Sequence, residues 1–246
     1  MIGKPCYREL WYSFRWVQTP TFEPRMLRLF QTGHREEARF IEMLEAVGFK
    51  VSAETEDGKQ HRISDCMGHF GGSLDGIVVP PAIYGIHEDC LLEMKTNKTG
   101  TDFKNMQTKG VAVVKPQHWA QMCTYGYKRD FKHGFYIMKD KNNDDLAFDV
   151  VELDHKLGKY MVIKAHDIIL SETPPARISK SPSSIECKWC DFKEICFGSK
   201  KYEPNCRNCA YSHPVDNAQW YCSKHEAEIP GRKEILEGCQ EYEECR

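Results

Sequence analysis

Two features that would settle a protein's class at a glance are absent from this chain. No run of 18 apolar residues occurs, so no segment has the length and hydropathy of a membrane-spanning helix. No large charge imbalance occurs either. Lys and Arg total 34 against 36 Asp and Glu, a formal net charge of −2, so a polyanionic partner would have to meet a local patch rather than a global field. Internal repeats and low-complexity tracts are also missing, which leaves one large domain, or one domain with a small appendage, for 246 residues. The opening Met1-Ile2-Gly3-Lys4-Pro5-Cys6 has no apolar signal-peptide core. The expectation is a cytoplasmic protein without membrane contact.

Cysteine is what the chain has in excess. There are twelve, and eight of them fall between Ser183 and Arg246. In a reducing compartment such a density points to metal ligation rather than disulfides. Hydrophobic residues at 41% suffice for a packed core, and 28% charged residues are ordinary for a globular protein.

Periodicity gives a coarse map. A short helix rich in aromatics and arginines is predicted from Cys6 to Trp16, and a long one from Glu23 to Val47, where Met26, Leu27, Phe30, Ala38, Ile41 and Leu44 recur at helical spacing. His34 and Glu37 share one face of it. Strands are predicted at 49–53 and from 62, then at 71–79 and 90–95. Residues 96–115, with Lys98, Lys104, Lys109 and Lys115, read as a mobile basic loop suited to phosphate contact, or as a plain solvated loop. Pro116 opens a helix on which Gln117, Gln121 and Tyr125 share one face. Strands at 134–139 and 147–153, a helix over 157–171 and a Pro/Ser linker over 173–184 complete the map.

The chemistry concentrates in Gly71-Gly72-Ser73-Leu74-Asp75-Gly76 and in Cys90-Leu91-Leu92-Glu93-Met94-Lys95. Asp75 sits at the mouth of one strand, while the period of two turns Glu93 and Lys95 to one face of the next. Two carboxylates suit a hard divalent ion such as Mg²⁺ or Mn²⁺. An adjacent ammonium can orient water and stabilise charge on a phosphate. Glu-x-Lys also arises by chance as an exposed ion pair, so the rest of the chain must decide.

Asp followed by Glu-x-Lys resembles the core of the PD-(D/E)XK nuclease superfamily. Cys187-Lys188-Trp189-Cys190 followed by Cys196 is C-x2-C-x5-C, three thiols that want a fourth ligand. With Cys6 in its Cys-x-Arg-x-Leu-Trp-Tyr context, this resembles the iron–sulfur branch of RecB-like nucleases. The resemblance runs from residue 6 to residue 196. It implies an α/β, restriction-endonuclease-like core, a central mixed sheet flanked by helices, over residues 1–198. It also implies a [4Fe–4S] cluster on Cys6, Cys187, Cys190 and Cys196, and metal ligation by His34, Asp75, Glu93 and the Met94 carbonyl. Lys95 takes the place of the catalytic lysine, and Gln121-x-x-x-Tyr125 that of the family's Q-x-x-x-Y motif. Leu74 stands where the motif nominally has proline. The implied activity is metal-dependent DNA hydrolysis, as an exonuclease in recombination, repair or phage DNA processing. A recombination or replication protein is the implied partner besides single-stranded DNA or duplex ends.

Residues 199–246 lie outside that pattern. Cys206-Arg207-Asn208-Cys209 answered by Cys222 and Cys239 has the spacing of a zinc ribbon, with His225 as reserve ligand. A piece this small needs a metal to fold; the alternative is unligated thiols in a disordered tail. Arg207, His213, Trp220 and Lys224 are candidates there for contact with nucleic acid or a partner. Two rival functions remain: a non-catalytic nucleic-acid-binding protein that retains the nuclease fold, and a zinc-dependent adaptor acting through the tail.

Overall fold

A computed structural model describes residues 1–97 and 100–245. Helix α1 (Tyr7–Phe14) and the long α2 (Pro24–Ala46) lead into β1 (Lys50–Ser52), β2 (Arg62–Asp65), β3 (Phe70–Ser73), β4 (Gly76–Val79) and β5 (Cys90–Asn97). Helices α3 (Gly100–Val114) and α4 (Pro116–Arg129) precede β6 (His133–Asp140), β7 (Leu146–Glu152) and α5 (His155–Leu170). The cysteine-rich region holds α6 (Lys193–Cys196), β8 (Ser212–Pro214), β9 (Trp220–Cys222), β10 (Ala227–Ile229) and α7 (Arg232–Glu237). Among the described residues no helix is long and apolar enough to cross a membrane.

Two compact units emerge. One comprises Phe22–Ile63 with Gly71–Val162, the other Met1–Thr21 and Ser64–Phe70 with Ile163–Arg246. This grouping differs from a division at residue 198, because residues 199–246 cluster with the N-terminal helix and with the chain from Ile163 onward.

The first unit is built on a mixed sheet in the order β1-β4-β5-β6-β7, flanked by helices. Only β5 and β6 run parallel, and α3 and α4 form the crossover that parallel neighbours require. Alternation along the central strands sorts the side chains. Leu92 and Met94 of β5, with Phe135 and Ile137 of β6, turn to one face and form a core with Phe40 and Leu44 of α2. Burying each such side chain is worth about 1.5–3 kcal/mol. Glu93 and its register partner Tyr136 therefore turn to the opposite face, over which α4 lies.

The basic loop expected over 96–115 is instead helix α3 in its described part; Lys98 lies outside the described residues. Phe103 and Met106 are buried three residues apart and Val111 is buried beyond the break at Gly110, while Lys104 and Lys109 point outward and Lys115 pairs with Asp102 at 2.6 Å. Gly110 breaks the helix near its end with φ at +72°, and Asp149 there accepts a hydrogen bond from the Val111 amide at 2.7 Å. The expected strand over 71–79 is also interrupted. β3 and β4 stop on either side of Leu74 and Asp75, which places the carboxylate at a strand mouth.

In the second unit, α1 buries Trp11 and Tyr12 against Ile168, Ile195 and Cys245. Arg15, also buried, donates to the carbonyls of Ser171, Arg207 and Ser212 at 2.9–3.1 Å. The irregular segment expected as a linker is tied down, since Arg8 donates to the carbonyls of Pro174, at 3.2 Å, and Pro175. The tail is a folded piece: an antiparallel sheet in the order β10-β9-β8 with α7, centred on Trp220, Ile229 and Ile235.

Candidate active site and cysteine centres

Asp75, Glu93 and Lys95 converge. The Lys95 ammonium lies 2.9 Å from Asp75 Oδ2, 2.6 Å from Glu93 Oε1 and 3.0 Å from the Met94 carbonyl oxygen. The Met94 amide donates to the same Asp75 oxygen at 2.8 Å, which fixes the carboxylate beside the middle of β5. Glu93 has no exposed surface, and its second oxygen is buried without a hydrogen-bond partner. Burial pushes its pKa up, against the opposing pull of Lys95. For Lys95, burial alone would lower the pKa, but the two carboxylates outweigh it and hold the group firmly as an ammonium.

Helix α4 closes the site from above. Gln121 Nε2 contacts Glu93 Oε1 at 3.3 Å and the Tyr125 hydroxyl at 3.2 Å, so the four-residue spacing does place both on the acid face. Burial, then the charges of Glu93 and Asp75, pushes the Tyr125 phenol up to about 12 and keeps it neutral. Gly72 is required here, because a Cβ on it would collide with the Tyr125 ring and hydroxyl. Gln117, grouped with these two from sequence, is exposed. Its neighbour His118 instead meets the Tyr136 hydroxyl at 2.8 Å. Burial, with Lys95 and Lys115 nearby, pushes the His118 imidazole down to about 4, so it is neutral near pH 7. His118 lies three residues before Gln121, and that spacing was the signal available for finding it.

His34 does not reach the carboxylates. Its side chain is 76% exposed and pairs with Glu37 at 3.5 Å. Glu37 is the nearer group: burial and then the charge of Asp75 raise its pKa, and Lys95 acts in the opposite sense.

Among the described residues, no group of three or more His, Cys, Asp and Glu side chains stands in a ready coordinating arrangement. The donors of the acid site are instead turned on the protein's own ammonium. Two carboxylates and one backbone carbonyl surround this positive charge, that of Lys95, and a further buried carboxylate oxygen is unclaimed among the described residues.

Cys6, at the N-cap of α1, lines one cleft together with Cys187, Cys190 and Cys196. All four are free thiols. Burial, with Glu9 and Cys6 adding, pushes the Cys190 thiol up to about 11. The tail has a second cleft, onto which Cys206, Cys209, Cys222 and Cys239 face. Burial and then the other three thiols push Cys206 up to about 11. His225 borders this cleft and pairs with Glu241 at 3.5 Å, whereas Cys245 is buried in the α1 core. The nucleic-acid role considered for Trp220 is excluded by its burial. Arg207 stacks against Trp16, Phe14 and Trp220, and burial with Arg15 nearby pulls its pKa down to about 9.

Fold and site define a mixed α/β protein with an acid–lysine cage on one face of its central parallel strand pair. No protein-family model matches the chain, and no curated protein does. Among solved structures it is similar to a protein described as SSO0001, at 19% identity over 79% of this chain and 82% of that one, with a TM-score of 0.43. It is also similar to the alkaline exonuclease LHK-Exo from Laribacter hongkongensis, at 19% identity over 68% of this chain and 86% of that one, with a TM-score of 0.42. The same exonuclease in complex with dAMP gives 18% identity over the same shares, with a TM-score of 0.43. What the site can do follows from its own residues.

Proposed function

We propose that this chain is a metal-dependent DNA nuclease of the RecB-like PD-(D/E)XK kind, an exonuclease serving recombination, repair or phage DNA processing. The supporting observation is the cage itself: Asp75, Glu93 and the Met94 carbonyl gather around the Lys95 ammonium while a buried Glu93 oxygen has no hydrogen-bond partner among the described residues. A partnerless buried carboxylate oxygen is costly, and a ligand-binding role accounts for it.

Asp75, Glu93 and the Met94 carbonyl are assigned as ligands of Mg²⁺ or Mn²⁺, with His34 joining them in place of its bond to Glu37. Such an ion supplies Lewis-acid activation of water and neutralises phosphate charge. Lys95 offers a permanent ammonium to the negative charge of a scissile phosphate. Gln121 fixes Glu93, and the neutral Tyr125 phenol steadies Gln121. Burial of Glu93 keeps these charges from being screened by solvent. Cys6, Cys187, Cys190 and Cys196 are assigned to a structural [4Fe–4S] cluster, and Cys206, Cys209, Cys222 and Cys239 to zinc.

The test is digestion of 5′- and 3′-labelled single- and double-stranded DNA with Mn²⁺, beside an Asp75→Ala control. Metal-dependent release of nucleotides by the wild type alone is expected. Equal cleavage by the Asp75→Ala protein, purified free of contaminating nuclease, would refute the assignment.

A further inference from the structure

Helix α2 changes character halfway along. From Pro24 to Arg35 it carries Arg25, Arg28 and Arg35 and no acidic residue, whereas from Glu36 to Ala46 it carries Glu36, Glu37, Glu42 and Glu45 against Arg39 alone. Packing divides at nearly the same place. Phe40 and Leu44 are buried in the sheet core, yet Met26, Leu27 and Phe30 are 38%, 49% and 46% exposed. Phe22, just before the helix, is 52% exposed and meets Phe30 edge to face, their rings 5.4 Å apart. Core packing explains none of these positions, and a contiguous apolar face left uncovered marks a contact site.

The occupant must accept both flat apolar surface and a predominantly positive charge, with Arg25, Arg28 and Arg35 against the exposed N-cap residue Glu23 alone. Bare nucleic-acid bases with their phosphates do so: aromatic side chains stack under bases while arginines track the backbone. Position agrees. Glu37, whose carboxyl feels the charges of Asp75 and Lys95, lies seven residues beyond Phe30 on the same helix. That is about 10 Å along the axis at ~1.5 Å per residue, a distance that a short stretch of nucleic-acid strand spans. A second copy of the chain is the weaker occupant, because a two-fold contact through this face would set like-charged arginines against one another.

We infer that the N-terminal half of α2 is the docking rail for the single-stranded end of the substrate, with bases on Phe22 and Phe30 and phosphates on Arg25 and Arg28. This rests on the nuclease reading and adds to it the element that holds the strand.

Full-length Phe22→Ala/Phe30→Ala and Arg25→Gln/Arg28→Gln proteins test it. Affinity for a short fluorescent oligothymidylate is measured without a catalytic metal over a range of salt. Turnover of bis(4-nitrophenyl) phosphate, a diester too small to reach the rail, is measured with Mn²⁺. The aromatic variant should lose on the order of tenfold in affinity per stacked base. The arginine variant should lower the salt slope by about 0.7 per lost phosphate contact. Both should turn over the small diester like the wild type. Unchanged affinity and salt slope in the variants, beside a wild type that binds and cleaves, would refute the rail alone. A wild type that neither binds oligonucleotide nor cleaves would refute the nuclease reading and the rail with it. A wild-type dimer that the aromatic variant converts to monomer, with DNA affinity intact, would assign the stripe to a second copy and overturn the inference.

Discussion

Replacing Lys95 with methionine removes the cation and keeps the stem. In the wild type the ammonium stands 2.6 Å from Glu93 and 2.9 Å from Asp75. At an effective dielectric of ~20 the closer contact alone is worth about 6 kcal/mol gross, before the cost of desolvating both groups is charged against it. The net worth of the intact pair is therefore small, but the cost of breaking it is not. Lys95→Met leaves the wholly buried Glu93 beside Asp75 with no cation. Removing one partner of a buried pair typically costs about 3–5 kcal/mol, a large part of the ~5–15 kcal/mol that holds a domain. The sign of the pH effect follows. Without Lys95 the Glu93 pKa rises further, and a carboxyl whose folded pKa exceeds its unfolded one loses stability as pH climbs between the two. The deficit should thus be full at pH 8 and shrink towards pH 5, where Glu93 holds its proton. Adding Mn²⁺ at pH 8 should restore part of the loss, about 2.7 kcal/mol at a hundred times the dissociation constant. Urea titrations at both pH values, with EDTA or Mn²⁺, read all of this. A Lys95→Met protein as stable as wild type at pH 8 in EDTA would show that the cage does not exist in solution.

Other consequences are as open to measurement. Phe40→Ala should cost about 3–5 kcal/mol in urea unfolding, since it empties the core between α2 and the sheet. Gly72→Ala should lower stability in urea unfolding, because its Cβ would collide with the Tyr125 hydroxyl, and Tyr125→Phe in the same chain should recover part of that loss; a double variant no more stable than Gly72→Ala would contradict the steric account. Cys6→Ser and Cys187→Ser should each lower iron content and bleach the visible absorption, whereas Cys66→Ser should do neither. Cys206→Ser should release zinc alone; elemental analysis separates the two centres.

The legible parts of the sequence were those that short-range patterning controls. Alternation in β5 put Glu93 and Lys95 on one face, and helical spacing put Gln121 and Tyr125 on another. Helix α3 was missed because its glycines, Gly100 and Gly110, and its polar residues obscure a periodic pattern that only Phe103 and Met106 carry before the break. The His118–Tyr136 contact joins a helix to a strand and leaves no periodic trace in either. The folding of the tail with the N-terminal helix was invisible for a stronger reason. Arg15 finds its carbonyl partners 156 to 197 residues away, a separation no local pattern spans. It also changes how the tail is best probed: truncation after Phe197 would remove partners of α1 itself, so single cysteine replacements are the cleaner perturbation.

That separation has a meaning for synthesis. Trp11, Tyr12 and Val17 find much of their packing only once Ile168, Ile195 and Cys245 exist. At ribosomal rates of ~5–20 residues per second, the first helix waits roughly ten seconds to most of a minute for them. Residues 22–162 supply one compact unit almost unbroken and can be complete well before then. For that interval Trp11, Tyr12 and Val17 are without the apolar partners that bury them in the finished fold.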